Sequence, residues 1–131
     1  MAIEKKSKKN TTSVNLSLRI DPRSKYLIDL MARHHKRTIT GVIEWAVERA
    51  GAEASFDSAR GDSFLEVIDR LWSTDESVRL ANLAMARPDL LDYDELRIWE
   101  TIKASPDLWS TSGQLLYSTL QEEWDGLLEH V

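Results

Sequence analysis

Val14-Asn15-Leu16-Ser17-Leu18-Arg19-Ile20 alternates apolar and polar residues without a break, the period of a half-buried β-strand. Leu16, Leu18 and Ile20 fall on one face, and Asn15, Ser17 and Arg19 on the other. No second strand reads from the rest of the chain. A lone strand leaves its backbone donors and acceptors without partners. The simplest partner is the same strand from a second copy, and two-fold symmetry makes that pair antiparallel. The resulting ribbon carries two copies each of Asn15, Ser17 and Arg19 on its polar face.

Two helices should follow. Asp21 suits an N-cap and Pro22 the first helical position, and the helix should run to about His35 with Leu27, Ile28, Met31 and Ala32 as its apolar stripe. Thr38 reads as the next N-cap. Ile39, Val42, Ile43, Ala46, Val47 and Ala50 then keep helical spacing, and Gly51 is the expected stop. Asn, Arg and Ser are residue types that read base edges, and a two-stranded ribbon fits the major groove of B-DNA. An ordinary exposed strand face is the alternative for these three positions.

Residues 12–50 resemble the ribbon-helix-helix DNA-binding proteins of the Arc and MetJ type. The resemblance is carried by Leu18-Arg19-Ile20 leading into a helix, the Asp21-Pro22 start, Ala32 late in that helix, and Arg37-Thr38-Ile39-Thr40 before Ile43. It implies that Asn15, Ser17 and Arg19 read bases, and that Thr38, Ile39 and Thr40 start the second helix against a DNA phosphate. Free N–H groups at a helix N-terminus do favour an anion; an ordinary cap is the other role open to Thr38. Leu16, Leu18, Ile20, Ile43 and Val47 are the expected dimer core. The chain departs from the family pattern at three places. Lys36 stands where Gly is frequent in the turn before the second helix. Gly41 sits early in that helix, at a cost of up to ~1 kcal/mol relative to Ala. Trp45 lies on the flank of the apolar stripe, where docking against the C-terminal region is the expectation and simple exposure the alternative.

The net charge of -5 conceals an asymmetry. Residues 1–50 carry 11 Lys+Arg against 5 Asp+Glu, and residues 51–131 carry 6 against 17. A basic half suits a polyanion such as double-stranded DNA, although uneven solvated charge would look the same. Residues 1–11 read as a flexible basic arm, in which Lys5, Lys6, Lys8 and Lys9 could follow the DNA backbone or simply keep the terminus soluble.

The expected division is the arm at 1–11, a ribbon-helix-helix domain at 12–51, a linker at 52–62 and an acidic, Trp-rich helical module at 63–131. Ser63…Glu66, Ser73…Glu76, Asp92…Glu95 and Thr111…Gln114 each place an N-cap residue three before Glu or Gln. They predict helices near 64–72, 75–87, 93–104 and 112–129. Pro88 and Pro106 fall in the breaks, within the similar runs Arg87-Pro88-Asp89-Leu90-Leu91 and Ser105-Pro106-Asp107-Leu108-Trp109. Trp72, Trp99, Trp109 and Trp124, with Phe64, Ile68, Leu71, Leu83, Leu91, Leu96, Ile102, Leu116, Leu120 and Leu127, predict a small all-α core.

The fold class expected is therefore mainly α, with one strand paired across a dimer. The function expected is a sequence-specific, homodimeric transcriptional repressor of prokaryotic type. Two alternatives remain at this stage: an antitoxin binding a basic toxin through 63–131, and an architectural protein of plasmid partition or transfer. With no cysteine, no apolar run of ~20 residues and no apolar stretch after the basic start, a cytoplasmic, non-membrane protein is expected. His34 and His35 are neighbours with no acidic or Cys partner at ligand spacing. No metal, cofactor or enzymatic activity is expected.

Overall fold

The computed structural model describes residues 13–131. The chain is mainly helical: the described residues form six α-helices and one two-stranded antiparallel sheet. They divide into two compact units, which part between Val47 and Glu48, inside a helix.

In the first unit, residues 13–20 carry no regular secondary structure and lead to α1 (Pro22–His35). The Asp21 carboxylate caps α1 by accepting the Ser24 N–H (2.8 Å) and the Ser24 hydroxyl (3.0 Å). Lys25 and Asp29, one turn apart, pair at 3.2 Å. The helix stops at Lys36, which adopts left-handed angles (φ 55, ψ 46). The Lys36 N–H donates to the Arg33 carbonyl (3.4 Å) and the Arg37 N–H to the Ala32 carbonyl (2.9 Å). That pair of bonds is the Schellman stop, a site normally given to Gly because a Cβ is strained there.

Helix α2 (Ile39–Glu53) follows at once. It passes through Gly51, the expected stop, because a glycine ends a helix by turning left-handed and Gly51 does not. The stretch expected as a linker is also ordered. Strand β1 (Ser55–Asp57) pairs with β2 (Asp62–Ser63), Ser55 opposite Ser63 and Asp57 opposite Asp62. The Asp57 carboxylate accepts the Ala59 and Arg60 N–H groups (3.0 and 3.3 Å), and Gly61 closes the turn at φ 82. Buried Phe56 explains the order: its ring meets Phe64 edge-on at 5.1 Å. Its carbonyl accepts from Arg87 Nη1 at 2.6 Å, while the rest of that guanidinium grips Asp89. Strands of three and two residues are too short to show a period, so the sequence did not reveal these two strands, while residues 14–20, expected as a strand, carry no regular secondary structure in the single chain.

The later helices are α3 (Phe64–Leu71), α4 (Glu76–Ala86), α5 (Tyr93–Lys103) and α6 (Tyr117–His130). Ser63/Glu66 and Asp92/Glu95 form complete capping boxes. The other two expected boxes do not form. At α4 the cap is Asp75, whose carboxylate accepts the Ser77 and Val78 N–H groups (2.9 and 3.1 Å). Ser73 instead accepts from the Asp75 N–H, and Glu76 turns to the Trp124 indole N–H (3.3 Å). Before α6, Gly113 adopts φ 86 and turns the chain so that Trp109 and Leu115 bridge antiparallel. A left-handed residue cannot sit in the first turn of a helix, so α6 starts five residues late, after Leu116 and without a side-chain cap. Both Pro-Asp-Leu runs make single turns of 3-10 helix, Pro88–Leu90 and Pro106–Leu108.

The core of the second unit gathers Leu80, Ala81, Ala84, Trp99, Ile102, Leu108, Leu115, Leu120 and Trp124. Two tryptophans here donate the indole N–H to a protein oxygen: Trp124 to the Glu76 carboxylate at 3.3 Å, and Trp109, packed against the core, to the Ile102 carbonyl at 2.9 Å. Trp109 also meets Trp99 edge-on at 6.2 Å. Trp72, expected in this core, is 60% exposed. Standing just past the end of α3, it takes Arg79 over its ring at 5.3 Å instead. No helix among the described residues is long and apolar enough to cross a membrane.

Candidate nucleic-acid interface

The residues singled out by the sequence lie on two stretches of the first unit. Asn15, Ser17 and Arg19 are exposed on the segment before α1, alternating with Leu16, Leu18 and Ile20. Those apolar side chains are exposed too, at 75%, 55% and 46%. Thr38, Ile39 and Thr40 form the exposed N-terminal edge of α2. Lys5, Lys6, Lys8 and Lys9, with the rest of the arm and Thr12, lie outside the described residues.

The start of α2 is built tightly. The Thr38 hydroxyl accepts the Gly41 N–H at 2.9 Å, and the Thr38 carbonyl accepts the Val42 N–H at 3.0 Å. The Ile39 and Thr40 N–H groups belong to the first turn, where no helical carbonyl precedes them and the helix dipole is positive. A Cβ at Gly41 would stand 3.2 Å from the Thr38 hydroxyl and 3.6 Å from Arg37 Cβ. The glycine that helix propensity disfavours thus leaves room for the capping hydroxyl.

Two cations that the sequence reading did not assign to the site precede this cap directly. Lys36 and Arg37 are both exposed. The Schellman stop holds their backbone, and the Arg37 guanidinium lies over the Trp45 ring at 5.8 Å. Trp45 also packs against the His35 ring at 5.1 Å. Its aromatic surface is therefore used within the first unit, where the turn after α1 brings His35 and Arg37 beside α2. Adjacency to Thr38 was the available signal for both cations.

Of the five positions expected in a dimer core, Leu16, Leu18, Ile20 and Val47 are exposed and Ile43 is half-buried. Among the described residues of this unit only Ala32 and Val42 are buried, while Tyr26, Leu27, Leu30 and Ile39 add to its exposed apolar surface. Asp21 is held below the usual carboxylate range, first by the Ser24 N–H and then by the Ser24 hydroxyl.

No protein family, no curated protein and no solved structure was found to match the chain.

Proposed function

We propose that the chain is a sequence-specific DNA-binding repressor that acts as a homodimer, in the ribbon-helix-helix manner. One observation carries the reading. A segment of alternating sequence holds Leu16, Leu18 and Ile20 in solvent directly before two helices joined by a tight stop. Solvent-held leucines in a row are costly, at roughly 1.5–3 kcal/mol per side chain left unburied. Pairing with a second copy covers them and completes the backbone hydrogen bonds. Asn15, Ser17 and Arg19 then enter the major groove from the ribbon's outer face. The Ile39 and Thr40 amides receive a phosphate at the start of α2, with Lys36 and Arg37 beside it. The arm lysines add backbone attraction.

The closed core of the second unit favours a self-folded module over a tail that folds only around a toxin, which is why the repressor reading is preferred to the antitoxin one. The test begins by selecting a preferred duplex from a random pool. Binding to it and to a scrambled duplex is then titrated at two salt concentrations. Arg19→Ala should cost about 1–3 kcal/mol on the preferred duplex and relax discrimination. Replacing Lys5, Lys6, Lys8 and Lys9 together should weaken both duplexes alike and flatten the salt dependence. Unchanged discrimination in Arg19→Ala would remove the ribbon as the reading surface.

A further inference from the structure

We propose that the second unit carries a docking groove for a basic amphipathic helix of a partner protein. The groove, about 480 Å³, lies among α3, α4 and the start of α5. Ile68, Leu71, Leu83 and Ile98 give it an apolar floor. Glu76, Asp92, Asp94 and Glu95 give it an acidic rim.

Three observations define the occupant. The first is charge. None of the four rim carboxylates forms a salt bridge among the described residues. The groove's one cation, Arg79, donates to the Ser73 carbonyl at 2.9 Å and lies on Trp72. Residues 48–131 hold 7 Lys+Arg against 18 Asp+Glu, so a cationic partner is drawn in and nucleic acid is repelled.

The second is shape. Ile68 and Trp72, at 46% and 60% exposure, leave the groove open along one side. A pocket for a small ligand buries most of its guest. An open apolar trough between helices suits a row of side chains at helical spacing.

The third is the rigidity of the rim. Asp92 and Glu95 are locked in the capping box of α5 at 2.8 and 3.0 Å, and Glu76 is held by Trp124. The carboxylates are therefore set in place before a partner's Lys or Arg arrives, which lowers the ordering cost of binding. Asp94, exposed in the same first turn of α5, accepts no side-chain cap bond and completes the rim.

The probe is a labelled synthetic peptide of about 18 residues, long enough for five helical turns. It carries Leu at helical spacing on one face and Lys on its flanks. A peptide of the same composition in scrambled order is the control. Anisotropy with the full-length protein should show saturable binding of the patterned peptide. The scrambled peptide should bind at least tenfold more weakly. Ile68→Asp on the floor and Asp94→Lys on the rim are both exposed changes, and circular dichroism should show the fold retained. Each should weaken the patterned peptide about tenfold, Asp94→Lys with the stronger salt dependence. No binding, equal binding of the scrambled peptide, or unchanged affinity in both variants would overturn the proposal. So would displacement of the peptide by equimolar spermidine, which would mark a small-cation site. DNA affinity should be the same in both variants, which separates a failure here from a failure of the repressor reading.

Discussion

The two units of this chain treat apolar surface in opposite ways. The second buries a continuous cluster from Leu80 to Trp124, with Ile102 and Leu120 at 0% exposure. Among its described residues the first buries only Ala32 and Val42, and leaves a row of large apolar side chains from Val14 to Val47 in solvent. In both, most helices open on an Asp, Ser or Thr cap, so the contrast does not come from local structure. It comes from what each unit can reach. In the second unit four helices and two single turns fold back on one another. Among the described residues the first offers two helices and one segment without regular secondary structure, too little to enclose a core. A unit with this much uncovered surface is suited to association, and one with a closed core to independent stability.

The largest expected effect lies on the exposed side of that contrast. Leu18→Ser removes an apolar contact from both copies of the proposed ribbon. At roughly 1.5–3 kcal/mol per buried leucine, the loss per dimer is about 3–6 kcal/mol. Sedimentation at micromolar concentration should show dimers in the parent and monomers in the variant. A monomeric parent that is fully folded would break the comparison from the other end.

Next comes the closed core. Ile102→Ala should destabilise the second unit by about 2–5 kcal/mol through lost contacts and an unfilled cavity. Its thermal midpoint should be independent of protein concentration, whereas that of the first unit should rise with concentration. Differential scanning calorimetry over a tenfold concentration range checks both.

A smaller effect tests the stop between α1 and α2. Lys36 holds a left-handed conformation that costs a non-glycine residue about 1–2 kcal/mol. Lys36→Gly should stabilise the first unit by about 1 kcal/mol, partly offset by the freer unfolded chain. The same change should weaken DNA binding by removing a cation beside the Thr38 cap. Chemical denaturation and a binding titration should therefore move in opposite directions.

The smallest effect is common to both units. The Ser77 hydroxyl, then the Val78 N–H, hold Asp75 below the usual carboxylate range, and Ser24 does the same for Asp21. A carboxyl whose folded pKa is depressed contributes stability above its unfolded pKa. That contribution is lost as pH falls through the folded value. Both units should thus lose stability on acidification below the ordinary carboxylate range. Asp75→Asn should flatten the acid slope of the second unit only, as followed by circular dichroism melts.

Much of the helical layout was legible because its signals are local. Asp21-Pro22, Ser63…Glu66 and Asp92…Glu95 begin helices where they stand, since each cap needs only backbone amides within three residues. The two failed boxes show the limit of that reasoning. Ser73…Glu76 lost to Asp75, a carboxylate close enough to hold two amides. Thr111…Gln114 lost to the left-handed turn at Gly113 and to burial of Leu115, a distant packing demand. The hairpin at 55–63 was hidden for the same reason. Its strands are too short to have a period, and its order depends on Phe64 and Arg87, the latter 31 residues from Phe56 along the chain.

The candidate interface was legible in part. Its residue types and spacing stand in the sequence at Asn15, Ser17, Arg19 and Thr38. The part proposed for Lys36 and Arg37 went unread, although both stand directly before Thr38 in the sequence. The sequence by itself determined where most of the described helices begin, α6 excepted, which half is basic, and that residues 14–20 alternate, because these depend on neighbours a few residues apart. Only the tertiary structure decided that Trp72 stays outside while Trp99 and Trp124 go in, that Trp45 is taken up by His35 and Arg37, and that an acidic rim surrounds an apolar groove. Each of those outcomes depends on which distant surfaces meet, and that choice is made by packing rather than by local preference.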